Sequence, residues 1–250
     1  MMKTIFITGA TSGIGKATAK LFAKQGNRLI ICGRRKSILD NLANELGKIT
    51  EVKTLVFDVR NQDEIRKAME ELDESWKNID VLVNNAGNAH GLEAISDGDI
   101  SDWDAMMDGN VKGLLYVSKP IINLMKTQKS GHIINISSVA ARQTYAGGVV
   151  YCASKKAVDV ISEGMRIELT EFGIKVSNIQ PGAVKTDFSK VRFKGNESRA
   201  ASVYAGYEAL KAEDIADAIS YCVNAPDRVS IAEICIYPKA QAEPRMIHKK

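Results

Sequence analysis

The feature that most constrains the fold is a glycine-rich turn that follows the first apolar run of the chain. Residues 3–8 predict a short buried strand, which leads into Gly9-Ala10-Thr11-Ser12-Gly13-Ile14-Gly15, where a helical pattern begins. Glycines at these positions permit a tight turn and a close approach of the backbone to a ligand. Free N–H groups at the start of a helix bind phosphate. The arrangement therefore predicts a dinucleotide site, the alternative being a turn with a structural role only.

Short apolar runs and amphipathic segments alternate along the rest of the chain. Further strands are predicted at residues 28–32, 52–58, 81–84, 131–136, 175–180 and 231–237, and the main later helices at 99–128, 151–171 and 213–223. Repeated strand–helix–strand units imply parallel strands joined by right-handed crossovers. The pattern predicts a single α/β domain with a doubly wound parallel sheet of about seven strands and helices on both faces.

The domain boundaries follow from where the periodic pattern stops. With 250 residues, the chain fits one domain, which we expect over residues 1–238. Residues 186–211 are poorly periodic, contain the loop signal Gly195-Asn196-Glu197-Ser198 and carry two aromatic residues expected to be exposed, Tyr204 and Tyr207. A long irregular insertion of this kind predicts a lid. Residues 239–250 predict a solvated tail.

Composition excludes several other classes of protein. The net charge is +4, and the 34 basic and 30 acidic residues are interspersed, so no nucleic-acid surface is predicted. No apolar run approaches the roughly 20 residues of a membrane span. The four cysteines are scattered and the chain has three histidines, so neither a metal site nor a disulfide framework is predicted. We expect a cytoplasmic protein.

Tyr151 and Lys155 form the first candidate catalytic pair. Their spacing in a helical pattern places phenol and ammonium on one face, about 5–6 Å apart at Cβ. A nearby ammonium lowers the pKa of a phenol from its usual value near ~10, which permits acid–base chemistry close to neutral pH. The same spacing is common on exposed helices, but here Ser138 follows a predicted buried strand upstream. The end of such a strand is where parallel-sheet proteins place their chemistry.

These motifs together resemble the short-chain dehydrogenase/reductase family. The Gly-x3-Gly-x-Gly spacing, Asn84-Asn85-Ala86-Gly87, Ser138, Tyr151-x3-Lys155 and Pro181-Gly182 follow one another in the family order between residue 3 and about residue 238. The resemblance implies a Rossmann-type fold and hydride transfer at a carbon that bears a hydroxyl group. It also implies that Tyr151 exchanges the substrate proton, that Lys155 binds the nicotinamide ribose and lowers the tyrosine pKa, and that Ser138 holds the substrate oxygen.

Asn110 is the fourth residue that the resemblance assigns to catalysis, as the support of a proton-carrying water. It lies on an apolar stripe of the predicted helix 99–128, where an amide destabilises the protein unless its hydrogen bonds are satisfied. A structural polar bridge is the alternative. Gly109 and Gly113 are expected to loosen the helix on either side.

The end of the second strand predicts the cofactor. The sequence Gly33-Arg34-Arg35-Lys36 lacks the acidic residue that binds the ribose hydroxyl of NAD, and its arginines suit the 2′-phosphate of NADP. A solvated turn is the alternative. Motif and resemblance together predict these cofactor contacts: Gly9, Thr11, Ser12, Gly13, Ile14 and Gly15 at the pyrophosphate; Arg34 and Arg35 at the 2′-phosphate; Asp58 and Val59 at the adenine; Asn85, Ala86 and Gly87 at its ribose; Tyr151, Lys155, Pro181, Gly182, Val184 and Thr186 at the nicotinamide half.

The substrate is predicted from a narrower resemblance. Residues 186–195 and 145–148 are similar to those of NADP-dependent 3-hydroxy acid dehydrogenases, which implies L-serine, L-allo-threonine, 3-hydroxyisobutyrate or the matching semialdehydes as substrates. A small carboxylate needs a cation, for which Arg192 is the preferred candidate beside Ser138 and Tyr151, with Lys194 and Arg142 as alternatives.

Three questions stay open at this level. A 3-oxoacyl-carrier-protein or general carbonyl reductase would use the same four catalytic residues, and a non-catalytic NADPH-binding regulator is a further alternative. The resemblance implies a homotetramer built on helices 99–128 and 151–171. Core packing would explain the apolar content of these helices equally well.

Overall fold

A parallel sheet forms the centre of the molecule. The computed structural model describes residues 2–249. Met1, the first residue of the predicted domain, and Lys250, the last residue of the predicted tail, lie outside the described residues. The strands are β1 (Thr4–Ile7), β2 (Arg28–Gly33), β3 (Val52–Val56), β4 (Val81–Asn84), β5 (Gly131–Ile136), β6 (Ile174–Pro181) and β7 (Glu233–Ile236). Their order is β3-β2-β1-β4-β5-β6-β7, and all six pairings are parallel. The predicted seven-stranded parallel sheet is confirmed.

Helices cover both faces of this sheet. They are α1 (Gly13–Lys24), α2 (Lys36–Leu46), α3 (Gln62–Glu70), α4 (Ile100–Met107), α5 (Gly113–Gln128), α6 (Val149–Leu169), α7 (Phe188–Arg192), α8 (Glu197–Ser202) and α9 (Ala212–Val223). Successive residues of a strand point to opposite faces, and β1 accordingly gives Ile5 and Ile7 to the core under α1, α2 and α9. Phe6 faces the core under α3, α5 and α6. Both faces of the sheet are thus buried, as expected for parallel strands.

The order of the strands fixes where a ligand can bind. Strand β1 pairs with β2 on one side and with β4 on the other, so the chain winds away from β1 in both directions. A crevice opens at the carboxyl ends of the strands where the winding direction changes. The glycine-rich turn after β1 and the segment after β4 meet at this crevice.

The predicted helix 99–128 is interrupted in the structure. Helix α4 ends at Met107, a π-helical turn spans Asp108–Lys112, and α5 continues to Gln128. The two flanking glycines are sites of close approach, because a Cβ on Gly109 would lie 2.7 Å from Asn88 Nδ2 and one on Gly113 would lie 2.8 Å from Val59 Cγ2. Single π-helical turns within α-helices are frequent at functional sites. This one holds Asn110.

Two expectations for the second half of the chain are wrong. The aromatic residues of the predicted lid are half-buried rather than exposed, because the segment folds into α7 and α8. The Tyr204 hydroxyl lies 2.7 Å from Ser189 Oγ and donates to the Val184 carbonyl at 2.9 Å. The predicted solvated tail packs onto the domain, since Gln241 is 6% exposed and pairs with Ile247 in an antiparallel bridge.

Candidate active site and cofactor cleft

A cleft of about 380 Å³ lies at the carboxyl ends of the strands. Its walls include most of the residues predicted to bind the cofactor or substrate: Gly9, Thr11, Ser12, Gly13, Ile14, Arg34, Arg35, Asp58, Val59, Asn85, Ala86, Gly87, Ser138, Tyr151, Lys155, Pro181, Gly182, Val184 and Thr186. Gly15, Asn110 and Arg192 are the predicted residues that do not line it. The structure therefore brings together segments that are up to 177 residues apart, from Gly9 to Thr186.

The glycine-rich turn has the shape that a phosphate needs. Gly9 and Gly13 have φ values of +66° and +52°, in the region that favours glycine. A Cβ on Gly15 would lie 2.5 Å from the Gly9 carbonyl oxygen, so Gly15 shapes the turn without lining the cleft. Helix α1 begins here with no side-chain cap and no acidic residue in its first turn. Its N-terminal N–H groups can therefore receive a pyrophosphate, and the residues present fit a dinucleotide.

Hydrogen bonds fix this turn to the segment after β4. The Thr8 hydroxyl accepts from the backbone N–H groups of Asn85 and Ala86, both at 3.0 Å. The Asn85 amide donates back to the carbonyls of Thr8 at 2.9 Å and Gly9 at 3.2 Å. Because each side of the crevice supplies partners for the other, its floor is held rigidly before any ligand binds.

The outer end of the cleft carries three arginines. Arg35 donates to the hydroxyls of Thr11 at 2.6 Å and Ser12 at 3.1 Å. Arg34 is 68% exposed at its side chain and lies 3.6 Å from Asp58. Arg60, which the sequence reasoning missed, donates to both Asp58 carboxylate oxygens, at 2.6 to 3.1 Å. Burial raises the pKa of Asp58, but these cations outweigh it and hold the pKa below its usual value. The negative charge of Asp58 is thus balanced by the arginines where a phosphate would approach.

Three of the four predicted catalytic residues, Ser138, Tyr151 and Lys155, are buried at the inner end of the cleft. Exposure is 9% for Ser138, 8% for Tyr151 and 5% for Lys155. Helix α6 carries Tyr151 and Lys155 on one face, and the Lys155 ammonium donates to the Ile136 carbonyl at 2.9 Å, which ties α6 to the end of β5. Burial lowers the pKa of Lys155 to about 8, while the neighbouring Asp159 raises it.

Burial raises the pKa of the Tyr151 phenol, and so does Tyr145, whereas the Ser138 hydroxyl and the Arg192 guanidinium lower it. The guanidinium carbon of Arg192 lies 5.3 Å from the centre of the Tyr151 ring. Arg192 is thus a cation that lies against this phenol and lowers its pKa, and the predicted role of Lys155 in lowering that pKa stays a prediction. The lysine ammonium is directed to the Ile136 carbonyl.

Asn110 is held on all sides by protein groups. Its side-chain oxygen accepts from the Asn88 N–H at 2.7 Å, and its amide nitrogen donates to the Asn88 carbonyl and the Ser154 hydroxyl, each at 2.9 Å. These bonds join the π-helical turn to α6 and to the segment after β4. They correspond to the structural bridge that the sequence left open as an alternative, and the predicted role beside a water stays a prediction.

Of the three cations predicted as candidates for a substrate carboxylate, only Arg192 lies beside Tyr151. It donates to the Tyr145 hydroxyl at 3.0 Å and to the Gly91 carbonyl at 3.1 Å. Lys194 forms ion pairs with Asp102 at 2.9 Å and Asp99 at 3.7 Å. Arg142 donates to Gln180 at 2.8 Å and pairs with Glu233 at 3.7 Å. The latter two are engaged elsewhere.

Several contributors to the site carry no local sequence signal. Phe188 packs against Tyr151 with ring centres 5.8 Å apart. Asp159 accepts hydrogen bonds from Ser137 and Asn178, both at 2.7 Å, and thereby links the end of β5 to β6. Arg60 could have been found from its position two residues after Asp58. The others depend on contacts between distant segments.

A doubly wound sheet, a glycine-rich turn before α1 and a polar cleft at the strand ends define a dinucleotide-binding protein. A search against family models identifies the particular family. The model described as short chain dehydrogenase matches residues 3–197. The chain belongs to the short-chain dehydrogenase family, which confirms the resemblance predicted from the sequence.

Individual relatives agree with this assignment. The chain is 41% identical over 239 residues to the NADP-dependent 3-hydroxy acid dehydrogenase YdfG of Salmonella typhi, covering 95% of this chain and 96% of that protein. It is 37% identical over 243 residues to sulfoacetaldehyde reductase 2 of Chromohalobacter salexigens, covering 97% and 96%. The closed form of a serine dehydrogenase complexed with NADP+ superimposes with a TM-score of 0.93 at 38% identity, covering 99% of this chain and 100% of the other.

Proposed function

We propose that this protein is an NADP-dependent oxidoreductase that transfers hydride between NADP(H) and the C3 hydroxyl or carbonyl of small 3-hydroxy acids, such as L-serine, L-allo-threonine and 3-hydroxyisobutyrate, or of the matching semialdehydes. The observation that carries the proposal is Arg192, a cation beside the Tyr151 phenol. A carboxylate bound by this guanidinium would place a hydroxyl two carbons away near the phenol. The names of the relatives support the same substrate class and cofactor.

The residues of the cleft would divide the cofactor among them. The N–H groups of the glycine-rich turn would bind the pyrophosphate, and Arg34 and Arg35 the 2′-phosphate. Lys155 would bind the nicotinamide ribose. The backbone of Val184 and the hydroxyl of Thr186 would hold the carboxamide. When bound, NADP supplies the hydride acceptor and NADPH the hydride donor.

Tyr151 would take the substrate proton at Oη in the oxidation and return it in the reduction. The Ser138 hydroxyl would hold the substrate oxygen, and Arg192 would orient the carboxylate. Because the neutral phenol is favoured by burial, it serves as a proton donor for the reduction without further adjustment. For the oxidation, the cations around it must lower its pKa, which makes alkaline pH favourable in that direction.

A substrate panel tests the proposal. Absorbance of NADPH is followed with small semialdehydes, with a 3-oxoacyl thioester and with an uncharged ketone, and reduction of NADP is followed with L-serine. We expect the small acids to be preferred, and Tyr151→Phe to lower kcat by about 10²-fold or more while NADPH still binds. Preference for the thioester would indicate an acyl reductase. NADPH binding with no turnover of any substrate would indicate a regulator.

The assembly and location are proposed on two further observations. Helices α4, α5 and α6 expose large apolar side chains: Ile100, Met107, Leu115, Val149, Val160 and Ile167. Such a surface suits the proposed homotetramer, which light scattering would measure. The cysteines of the described residues are free and three of the four are buried, which supports a reducing, cytoplasmic location. No helix among residues 2–249 is long and apolar enough to cross a membrane.

A further inference from the structure

The segment that follows β6 has an unusual set of hydrogen bonds. The N–H of Gly182 donates to the Ile236 carbonyl at 2.7 Å, and the N–H of Lys185 donates to the Leu210 carbonyl at 2.8 Å. The Val184 carbonyl accepts from the Tyr204 hydroxyl at 2.9 Å. Within residues 2–249 no partner is assigned to the Val184 N–H. Val184 lines the cleft, and its N–H is available to a ligand, whereas the N–H groups of both neighbouring residues, Ala183 and Lys185, are bonded within the protein.

One further hydrogen bond of this segment has its acceptor in the C-terminal segment, residues 239–249. The Ala183 N–H donates to the side-chain oxygen of Gln241 at 2.9 Å. Gln241 is 58 residues away along the chain and only 6% exposed. A Cβ on Gly182 would lie 2.5 Å from the same oxygen, so the glycine lets the glutamine approach the backbone. The contact between Gln241 and residues 182–183 is therefore buried and closely packed, unlike a chance contact at the surface.

The C-terminal segment has its own structure that holds Gln241 in place. The N–H of Gln241 donates to the Pro238 carbonyl at 2.9 Å, and the chain returns so that the N–H of His248 donates to the Ala240 carbonyl at 2.8 Å. The turn of this hairpin brings the Arg245 guanidinium carbon to 5.7 Å from the Tyr145 ring centre. The same ring carries the hydroxyl that accepts from Arg192. The segment thus contacts both the proposed nicotinamide side and the substrate side of the cleft.

We propose that Gln241 is a positioning residue for the nicotinamide half of the cofactor, and that the C-terminal segment is in this way a working part of the active site. Gln241 fixes the Ala183 N–H, which holds the adjacent Val184 N–H toward the cleft. The inference rests on the proposed role of Val184 and Thr186 at the nicotinamide. It adds a residue that no motif of the sequence assigns.

The test compares two substitutions of the same size. Gln241→Met keeps the volume but removes the acceptor, whereas Gln241→Glu keeps an oxygen that can accept from Ala183. The matched control is Gln128→Met, which loses a glutamine bond to a backbone group, the Ile79 carbonyl, far from the cleft. Binding is measured for NADPH and for adenosine 2′,5′-bisphosphate, which lacks the nicotinamide. Hydrogen exchange of the Ala183 amide is measured without any ligand.

We expect Gln241→Met to weaken NADPH binding about tenfold, as for the loss of one buried hydrogen-bond partner, and to leave binding of the bisphosphate unchanged. Ala183 exchange should become faster, Gln241→Glu should restore most of the affinity, and the Gln128 variant should bind both ligands as the wild type does. NADPH binding unaffected by Gln241→Met, or equal losses for both ligands, would overturn the inference.

A further variant separates failure of this inference from failure of the proposed function. Thr186→Val removes the hydroxyl proposed for the carboxamide and should also weaken NADPH but not the bisphosphate. If Thr186→Val has this effect and Gln241→Met does not, the role of Gln241 is wrong and the cofactor assignment stands. If neither variant discriminates between the ligands, the nicotinamide is bound elsewhere and the proposed arrangement of the site fails.

Discussion

At the scale of single residues, burial and a neighbouring cation shift the pKa of the Tyr151 phenol in opposite directions. Removal of the phenol from water favours its neutral form, and Arg192 is the cation placed to favour the phenolate. The same guanidinium uses two of its donors on Tyr145 and Gly91 and has further N–H groups for a ligand. One arginine can therefore influence both the proton transfer and the choice of substrate.

These two roles of Arg192 can be separated by the choice of substrate. Arg192→Ala should raise KM for L-serine by about 10- to 100-fold, because a charged hydrogen bond to the carboxylate is lost. Any effect through the Tyr151 pKa should affect an uncharged alcohol equally, so the ratio of kcat/KM values isolates the carboxylate contact. Lys190→Ala is the control, since Lys190 lies on the same helix and pairs with Glu197 on the surface. Equal losses for both substrates would contradict the assignment.

The sequence predicted residues of this site when their chemistry was tied to a local pattern. The glycine-rich turn, Ser138, Tyr151 and Lys155 were found in this way, and the structure brings them to one cleft. Gln241 was not, because its proposed role depends on a single hydrogen bond from a residue 58 positions away. The direction of the Lys155 ammonium could not be predicted either, since its acceptor is the backbone carbonyl of Ile136, which no side-chain pattern in the sequence indicates.

At the scale of elements, the π-helical turn between α4 and α5 lies next to the loop after β3, at the proposed adenine end of the cleft. Gly113 begins α5 and faces Val59, which is proposed to flank the adenine. A helix with larger residues at this point would be held further from the loop after β3. The sequence predicted that the glycines would loosen this helix but could not show which loop approaches them.

Gly113→Ala tests this close approach. The added Cβ would lie 2.8 Å from Val59 Cγ2 and 3.1 Å from the Val59 carbonyl oxygen. Alanine gains about 1 kcal/mol over glycine in a helix, but overpacking costs about 1–3 kcal/mol, and backbone cannot move as a side chain does. We therefore expect a lower free energy of unfolding and weaker NADPH binding.

The control for Gly113→Ala is Lys112→Ala, because the ion pair of Lys112 with Asp108 is exposed to solvent and contributes little. Chemical denaturation and NADPH titration measure both variants. A Gly113 variant that is more stable than the wild type and binds NADPH normally would show that Val59 is free to move.

At the scale of the whole molecule, the sheet was predictable because alternation of strands and helices is a property of long segments. About seven strands were expected, and residues 2–249 form seven, in one parallel sheet. The packing of the C-terminal segment was not predictable, since the segment has little apolar content and its long-range hydrogen bond is the one between Ala183 and Gln241. The same sheet buries His132, on β5, whose environment depends on strands that meet only in the folded protein.

His132 should make the protein sensitive to acid. Burial, together with Lys175 and Lys3, lowers its pKa in the folded state to about 3, and its Nε2 lies 2.8 Å from Ser177 Oγ. The unfolded chain binds this proton near pH ~6.5. Below that pH the unfolded state holds more protons, so the free energy of unfolding should fall by up to about 1.4 kcal/mol per pH unit until pH approaches the folded value.

Urea denaturation between pH 8 and pH 4 measures this dependence. His132→Gln keeps an amide that can reach Ser177 but does not titrate, so its stability should vary less with pH than that of the wild type. Carboxylates such as Asp58, whose pKa values are lowered, contribute equally to both proteins and cancel in the comparison. Identical slopes in the two proteins would show that His132 takes up its proton while the protein remains folded.

The long separation between Ala183 and Gln241 has a consequence for biosynthesis. During translation the turn at residues 9–15, which is proposed to bind the pyrophosphate, emerges long before residue 241, so the proposed clamp on the nicotinamide segment can close only later. A nascent chain folded as far as β6 would therefore bind the adenosine end of its cofactor before the proposed clamp on the nicotinamide could form.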